Sequence, residues 1–374
     1  MDFKLIIRKI EGRLSAEEQI IFDQWYDESE SHREYFRKVS SGYNKPTLQI
    51  NKDKAWLRLK REISTPVKPR YNWRYGVAAS LVLLALASIA FFMNNKDDTE
   101  NLVAEQVIEA GSDKAILTLA DGTEVDLQSG QSYNAQGVTS NGEFIKYEGQ
   151  QEKLEYHYLT IPRGGEFYME LSDSTKVWLN ADTRIKYPTK FIAGQPRQVE
   201  LVYGEAYFDV SPSAHNHGDH FIVATGAQKV EVLGTEFNIR AYKQDRNTTT
   251  TLVEGSVQLE VADQEISMKP KDQVTFNYES KGLSKKEVVV HDYISWKDGF
   301  FSFNESNLAS IAENLNRWYD VQIVFADEEV KNIKFNGVFS RELGLNKILN
   351  LLGKTSNISY EIEDNKIEIK QKGE

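Results

Sequence analysis

EFYMELSDSTKVWLN, residues 166–180, reads as two short strands around a polar turn. Apolar and polar residues alternate on both sides of the turn, the period of a strand with one buried face. LADGTEVDL at 119–127 matches LSDSTKVWL at 171–179, which suggests repeated hairpin units. Working outward, QVELVYGEAYFDV (198–210), FIVAT (221–225), KVEVLGTEFNIRAY (229–242) and TTLVEGSVQLEV (250–261) continue the pattern, with Gly, Asp and Asn at the turns. Such strands predict an all-β domain, sandwich or solenoid, over residues 106–292.

Toward the N-terminus the pattern changes. YGVAASLVLLALASIAFFM, residues 75–93, carries no charge, and at about 1.5 Å per residue a helix of this length matches a hydrocarbon core of ~30 Å. Arg58, Lys60, Arg61, Lys68, Arg70 and Arg74 crowd its N-terminal side, and only Lys96 lies close on the other. The excess of cations predicts residues 1–74 inside and 94–374 exported, in a single-pass inner-membrane topology. Linkers are expected at 66–74 and 94–105.

Residues 1–65 show helical spacing. Phe3, Ile6, Ile7 and Ile10 share one face, and Ser15 with Glu18 forms a capping box opening a helix with Ile20, Ile21, Phe22, Trp25 and Tyr26. A second box, Ser31 to Glu34, starts a third helix, and a fourth around 53–63 carries Trp56. A small all-α domain with one histidine and no phosphate loop suits partner binding better than chemistry.

At the other end, FFSFNESNLASIAENLNRWYDVQIVF (300–325) reads strand, helix, strand, and 335–370 repeats the plan. Two tandem βαβ-type units predict an α+β domain over 293–374, its helices on one face of a sheet and an edge open to strand addition.

The composition narrows the chemistry. A net charge of −11 argues against a nucleic-acid grip, and the absence of cysteine excludes disulfide frameworks, thiolate metal sites and thiol nucleophiles. His215, His217 and His220 have a spacing compatible with a metal, but sit in a turn-like stretch, so no metal or cofactor is expected. Asp173 with Asp182 and Glu166 with Glu170 are paired acids without an evident cleft. At Gly234-Thr235 a hydroxyl could attack the preceding carbonyl, given a strained turn and an oxyanion stabiliser; the other reading is a bulge where strands cross closely.

IPRGGEFYMELSDSTKVWLNADTRIKYP (161–188), VELVYGEAYFDV (199–210) and VEVLGTEFNIRAY (230–242) resemble the FecR-type anti-sigma factors of Gram-negative bacteria. WKDGFFSF, LNRWYDVQIVF and FNGVFS resemble the C-terminal signalling-type module (STN-like) found in part of that family. Ser174 departs from the usual DGT turn and implies a slightly altered one. The resemblance implies a transmembrane regulator that holds an extracytoplasmic-function sigma factor through its cytoplasmic helices, with Phe22, Trp25, Tyr26 and Trp56 as candidates. It implies that the periplasmic part contacts the N-terminal signalling domain of a TonB-dependent outer-membrane transporter, with Phe303, Trp318, Tyr319, Phe335 and Phe339 as candidates. Release by an intramembrane protease, and self-cleavage at Gly234-Thr235, are further implications. The competing reading is an envelope glycan-binding protein using Trp178 and Tyr207, without sigma-factor control.

Overall fold

The computed structural model describes residues 3–28, 32–33, 36–37, 39–40, 108–135, 137–147, 153–226 and 228–372. The expected span at 75–93, both linkers up to residue 105, the fourth helix and Trp56 lie outside these residues. Among the described residues no helix is long and apolar enough to cross a membrane.

Helices α1 (Phe3–Glu11) and α2 (Ala16–Glu28) form as their spacing predicts. The capping box is reciprocal: the Glu18 amide donates to Ser15 Oγ at 3.2 Å, and the Ser15 amide donates to Glu18 Oε2 at 3.0 Å. Each bond satisfies a donor that the first helical turn leaves without a partner. Ile6, Ile7 and Ile10 of α1 are buried with Phe22 and Val39, and Trp25, Tyr26 and Phe36 pack around them. Ile20, named with Phe22 among the apolar residues of this helix, is 61% exposed. Two residues along a helix is about 200° of rotation, so Ile20 and Phe22 cannot share a face.

The β-rich domain is a sandwich rather than a solenoid. Its first part runs β1 (Ser112–Thr118), β2 (Glu124–Gln128), β3 (Tyr133–Ala135), β4 (Val138–Ser140), β5 (Phe144–Tyr147), β6 (Tyr156–Ile161), β7 (Gly165–Glu170), β8 (Lys176–Leu179), β9 (Thr183–Pro188) and β10 (Arg197–Asp209). Four hairpins complete it: β11 (Phe221–Thr225) with β12 (Gln228–Val232), β13 (Glu236–Ala241) with β14 (Asn247–Glu254), β15 (Val257–Val261) with β16 (Gln264–Met268), and β17 (Asp272–Asn277) with β18 (Leu283–Glu287). One sheet runs β2-β1-β6-β9-β10-β11-β12-β15-β16. The other runs β3-β4-β5-β7-β8-β10-β13-β14-β17-β18. The last four hairpins alternate between the sheets, so each layer grows by addition of a pair.

β10 belongs to both sheets. Its first half pairs with β9 and β11, and its second half, from Gly204, pairs with β8 and β13. The strand changes layer at Gly204, where φ is +106° and a Cβ would lie 2.3 Å from Thr183 Oγ1. Only glycine meets both demands. Inward-facing residues of both sheets, such as Leu159, Ile185 and Leu259 from one and Phe167, Phe208 and Phe237 from the other, form one continuous core. Each such side chain contributes about 1.5–3 kcal/mol by leaving water.

The hairpin repeat read in the sequence is real down to its hydrogen bonds. Leu119 N donates to Thr123 O and Leu171 N to Thr175 O. The Thr123 amide donates to Asp121 Oδ1 at 2.9 Å, and the Thr175 amide to Asp173 Oδ1 at 3.0 Å. Gly122 and Ser174 occupy the same left-handed position, at φ +86° and +65°. The altered turn expected at Ser174 is therefore not altered; the serine accepts the strain that glycine avoids.

The C-terminal lobe departs from the tandem βαβ expectation. A helical turn, His291–Ile294, and a 3-10 turn, Ser295–Asp298, lead to β19 (Phe300–Asn307) and α3 (Leu308–Tyr319). β20 (Gln322–Phe325), β21 (Lys334–Ser340), α4 (Leu345–Thr355), β22 (Ile358–Glu363) and β23 (Lys366–Gln371) follow. β19 pairs antiparallel with β21, whereas β23 pairs parallel with β20 and antiparallel with β22. In each expected unit the strand before the helix therefore lies in one sheet and the strand or hairpin after it in the other. Ile311 and Leu315 of α3 and Ile348 and Leu352 of α4 share one core with Phe301 and Phe339 from the first sheet and Ile323 and Ile367 from the second. A two-stranded sheet is too narrow to bury two apolar helices, so both sheets contribute to covering them.

Candidate functional site

A cluster of polar side chains joins the sandwich to the C-terminal lobe. Arg341, just after β21, is 2% exposed. Its Nη2 donates to Asn180 Oδ1 at 3.0 Å and its Nη1 to the Trp296 carbonyl at 2.9 Å, and Glu166 Oε2 lies 3.0 Å from Nη1. The guanidinium stacks 3.6 Å above the Trp318 ring, whose Nε1 donates to the Arg341 carbonyl at 2.9 Å. Burial lowers the pKa of this arginine, and Glu166 works against that shift.

Around it, Glu205 accepts from Asn180 Nδ2 at 2.9 Å and Asn238 Nδ2 at 3.0 Å. Trp296 Nε1 donates to Asn238 Oδ1 at 3.3 Å. Arg317 lies 4.1 Å from the Tyr242 ring, and Arg163 Nη2 donates to the carbonyls of Asn316 at 2.7 Å and Val321 at 2.6 Å. Asn180, Glu205, Arg240, Trp296, Arg317 and Arg341 line a cavity of about 280 Å³ between sandwich and lobe. The charges here are engaged with one another, and in the same cavity Ser302 Oγ donates to Asp292 Oδ1 at 3.0 Å. Such an arrangement fixes the sandwich and the lobe together.

Asp113 borders this junction. It stands in register with Glu166 in a short parallel pairing of β1 and β7. Partial burial first, then the charges of Glu166 and Glu143, push its carboxyl up to about 6 from 3.8. The folded state thus holds the proton more tightly than the unfolded chain. The contribution is full below pH 3.8 and is lost as pH rises through about 6. Asp113→Asn is therefore expected to stabilise the protein by about 1 kcal/mol at pH 7.5, after discounting for solvent screening, and by little at pH 4. Urea midpoints at the two pH values check this.

The other expected site residues fall as follows. Phe303, Trp318, Tyr319, Phe335 and Phe339 are all buried in the lobe's core, so they shape it from within rather than presenting a surface. Phe22 is likewise a core residue of the helical segment, with Trp25 and Tyr26 half-buried beside it. Trp178 and Tyr207 are covered: Tyr207 is buried with Ile294 and Trp296, and Trp178 packs on the same cluster. The aromatic pair offered for glycan stacking is thus occupied.

Three of the four paired acids are engaged. Glu166 binds Arg341, Glu170 lies 3.7 Å from Lys146, and Asp173 lies 2.6 Å from Arg197. His220 Nδ1 meets Glu231 Oε1 at 2.5 Å, and no three His, Asp or Glu side chains gather as a metal site among the described residues. Gly234 is nearly extended at φ +159°, and a Cβ there would lie 3.0 Å from Pro212 Cα. Close approach is what it provides. The Thr235 hydroxyl donates to the Ser256 carbonyl at 3.0 Å, and a peptide carbonyl is far too weak a base to take its proton. The sequence reading missed Arg341, Glu205 and Asn180, and no local signal marks them.

The α1 face also touches Val338 and Phe300 of the C-terminal lobe.

A family model described as FecR protein matches residues 158–258, and one described as FecR, C-terminal matches residues 300–369. Two crystal structures of a candidate anti-sigma factor from Parabacteroides distasonis ATCC 8503, at 1.65 and 2.50 Å resolution, are similar to this chain. Each is 28% identical with a TM-score of 0.52; they cover 58% and 59% of this chain, and 99% and 100% of their own. No curated protein matches.

Proposed function

Because this chain belongs to the FecR-type anti-sigma factor family, we propose that its N-terminal helices sequester an extracytoplasmic-function sigma factor and that the sandwich and C-terminal lobe receive the signal that ends sequestration. The observation that carries this reading is the match of the two family models to the two bodies found here, one to the sandwich and one to the C-terminal lobe. Neither model reaches residues 1–65. What supports placing capture there is a pair of helices, the second opened by a capping box, that bury a shared apolar cluster.

Residues 75–93 cross the inner membrane, the N-terminus is cytoplasmic, and residues 94–374 are periplasmic; the uncharged run and its basic flank support this. The periplasmic part contacts the signalling domain of a TonB-dependent transporter. Proteolysis that includes an intramembrane step then frees the sigma factor, since a single span offers no second packed state to carry a conformational signal. The function is binding and relay. The Gly234-Thr235 bond, with no base beside the hydroxyl, is given no step in it.

Ile20 supplies the test. Its side chain is exposed on α2, so a polar replacement leaves the helical core intact. Ile20→Asp is expected to weaken sigma-factor binding about tenfold, close to 1.4 kcal/mol, without loss of helicity. Purification of residues 1–65 with the cell's sigma factors reads this directly. Failure to retain any of them would overturn the proposal.

A further inference from the structure

Residues Ile108–Gly111, just ahead of β1, do not simply enter the sandwich. They run beneath the C-terminal lobe. Ile108 and Ala110 pack against the lobe's apolar core. The amide of Leu345, the first residue of α4, donates to the Ile108 carbonyl at 3.1 Å. Gly111 lies flush under Trp318: a Cβ on it would sit 2.7 Å from the indole ring and 2.9 Å from the Gly164 carbonyl. The Ser112 amide donates to that carbonyl at 3.0 Å, and the Gly164 amide donates to the Arg317 carbonyl at 2.7 Å. The segment is thus held from both sides, by the lobe through Leu345 and Trp318 and by the sandwich through Gly164.

The tie coincides with the junction. Trp318, which covers Gly111, is the ring on which Arg341 stacks, and Arg341 joins the lobe to Asn180 and Glu166 of the sandwich. Any force that lifts the lobe from the sandwich must therefore uncover Ile108–Gly111. These residues follow the predicted span by only the stretch 94–107.

We propose that the C-terminal lobe is a latch over Ile108–Gly111, keeping this membrane-proximal segment closed to endopeptidases until a partner displaces the lobe. An endopeptidase takes its substrate as an extended, unpaired chain, and cleavage of a folded protein tracks the population of the opened form. Water adds across the peptide bond, its hydroxyl to the new carboxylate and its proton to the new amine; the latch controls access, not chemistry. The inference rests on the reading of residues 94–374 as a receiver whose signal is passed on by proteolysis.

Glu109 is exposed within the segment, so a glutamyl-specific endopeptidase added to the full chain in bilayer nanodiscs is a suitable probe. The measured product begins at Ala110. In the wild-type chain it is expected to accumulate slowly. Gly111→Ala, which wedges a methyl under Trp318, and Ile108→Asp, which sets a charge against the lobe's core, are each expected to accelerate it at least about tenfold. Circular dichroism identifies variants whose sandwich remains folded. Cleavage of the wild type as fast as a denatured chain, or wild-type rates in both folded variants, would overturn the latch. Sigma-factor capture by residues 1–65 is scored on the same preparations and reports on the anti-sigma reading alone.

Discussion

Arg341→Met is expected to destabilise the protein by about 3–5 kcal/mol and to uncouple the C-terminal lobe from the sandwich. A guanidinium that is 2% exposed keeps its charge only because its surroundings replace water. Asn180, the Trp296 carbonyl and Glu166 supply three acceptors, and the Trp318 ring covers its face. Methionine fills similar volume but meets none of them. Asn180 Oδ1 then keeps only the Ala181 amide and the Trp296 carbonyl only the Gly299 amide, and Glu166 has no cation opposite while it still faces Asp113. Arg341→Lys should recover little, because an ammonium cannot address acceptors on both bodies and stack on the ring. Urea unfolding followed by tryptophan fluorescence and by circular dichroism tests the claim. One coincident transition is expected for the wild type and two separated transitions for the variant. A single transition shifted by under about 1 kcal/mol would show that the lobe is held by its apolar contacts alone.

Why such a residue escaped the sequence reading is physically plain. Asn180 and Arg341 meet across a separation of 161 residues. Nothing local distinguishes an arginine destined for burial from one that ends in solvent. What the sequence does show is chemistry completed within a few residues. The Ser15–Glu18 box and the Asp121 and Asp173 turns are of that kind, since donor and acceptor lie two or three positions apart. Period-two alternation likewise marks a strand without help from elsewhere.

Which strands become neighbours is a different matter. β19 and β20 flank the same helix, yet pair with β21 and β23, and no pattern within 300–325 decides this. Aromatic residues are ambiguous for a related reason. Phe303, Phe335 and Phe339 suit a docking face and a core equally well until the partner sheet is known. The altered turn anticipated at Ser174 failed more narrowly. A residue-type preference was taken for a conformational requirement, and an L-residue at φ +65° meets the same geometry at modest cost.

The second large effect is expected at Arg197, and it shows how the repeated hairpin was specialised. The first turn leaves Asp121 exposed, where hydrogen bonds from Thr123 lower its pKa. The second turn buries the equivalent Asp173, 2.6 Å from Arg197, with side-chain exposures of 3% and 2%. Arg197 Nη1 also donates to the Ser211 carbonyl at 3.0 Å, Nη2 donates to the Asp219 carbonyl at 3.0 Å, and the guanidinium lies 5.4 Å from the Phe221 ring centre. Asp173 in turn accepts from Thr175 Oγ1 at 2.8 Å, which itself accepts from the Ser211 amide at 3.1 Å. The set ties the β7–β8 turn to both ends of β10 and to the start of β11. Arg197→Met leaves a carboxylate buried without its cation and is expected to lose about 3–5 kcal/mol. Asp173→Asn leaves the arginine two carbonyl partners and should lose less, about 1–3 kcal/mol. Combining Arg197→Met with Asp173→Asn should cost less than the sum of the two, because the stranded carboxylate is gone. A double-mutant cycle in urea measures the coupling, expected at about 1–3 kcal/mol. Strict additivity would mean that Asp173 is held by its turn alone and that the ion pair contributes nothing to the strand that joins the two sheets.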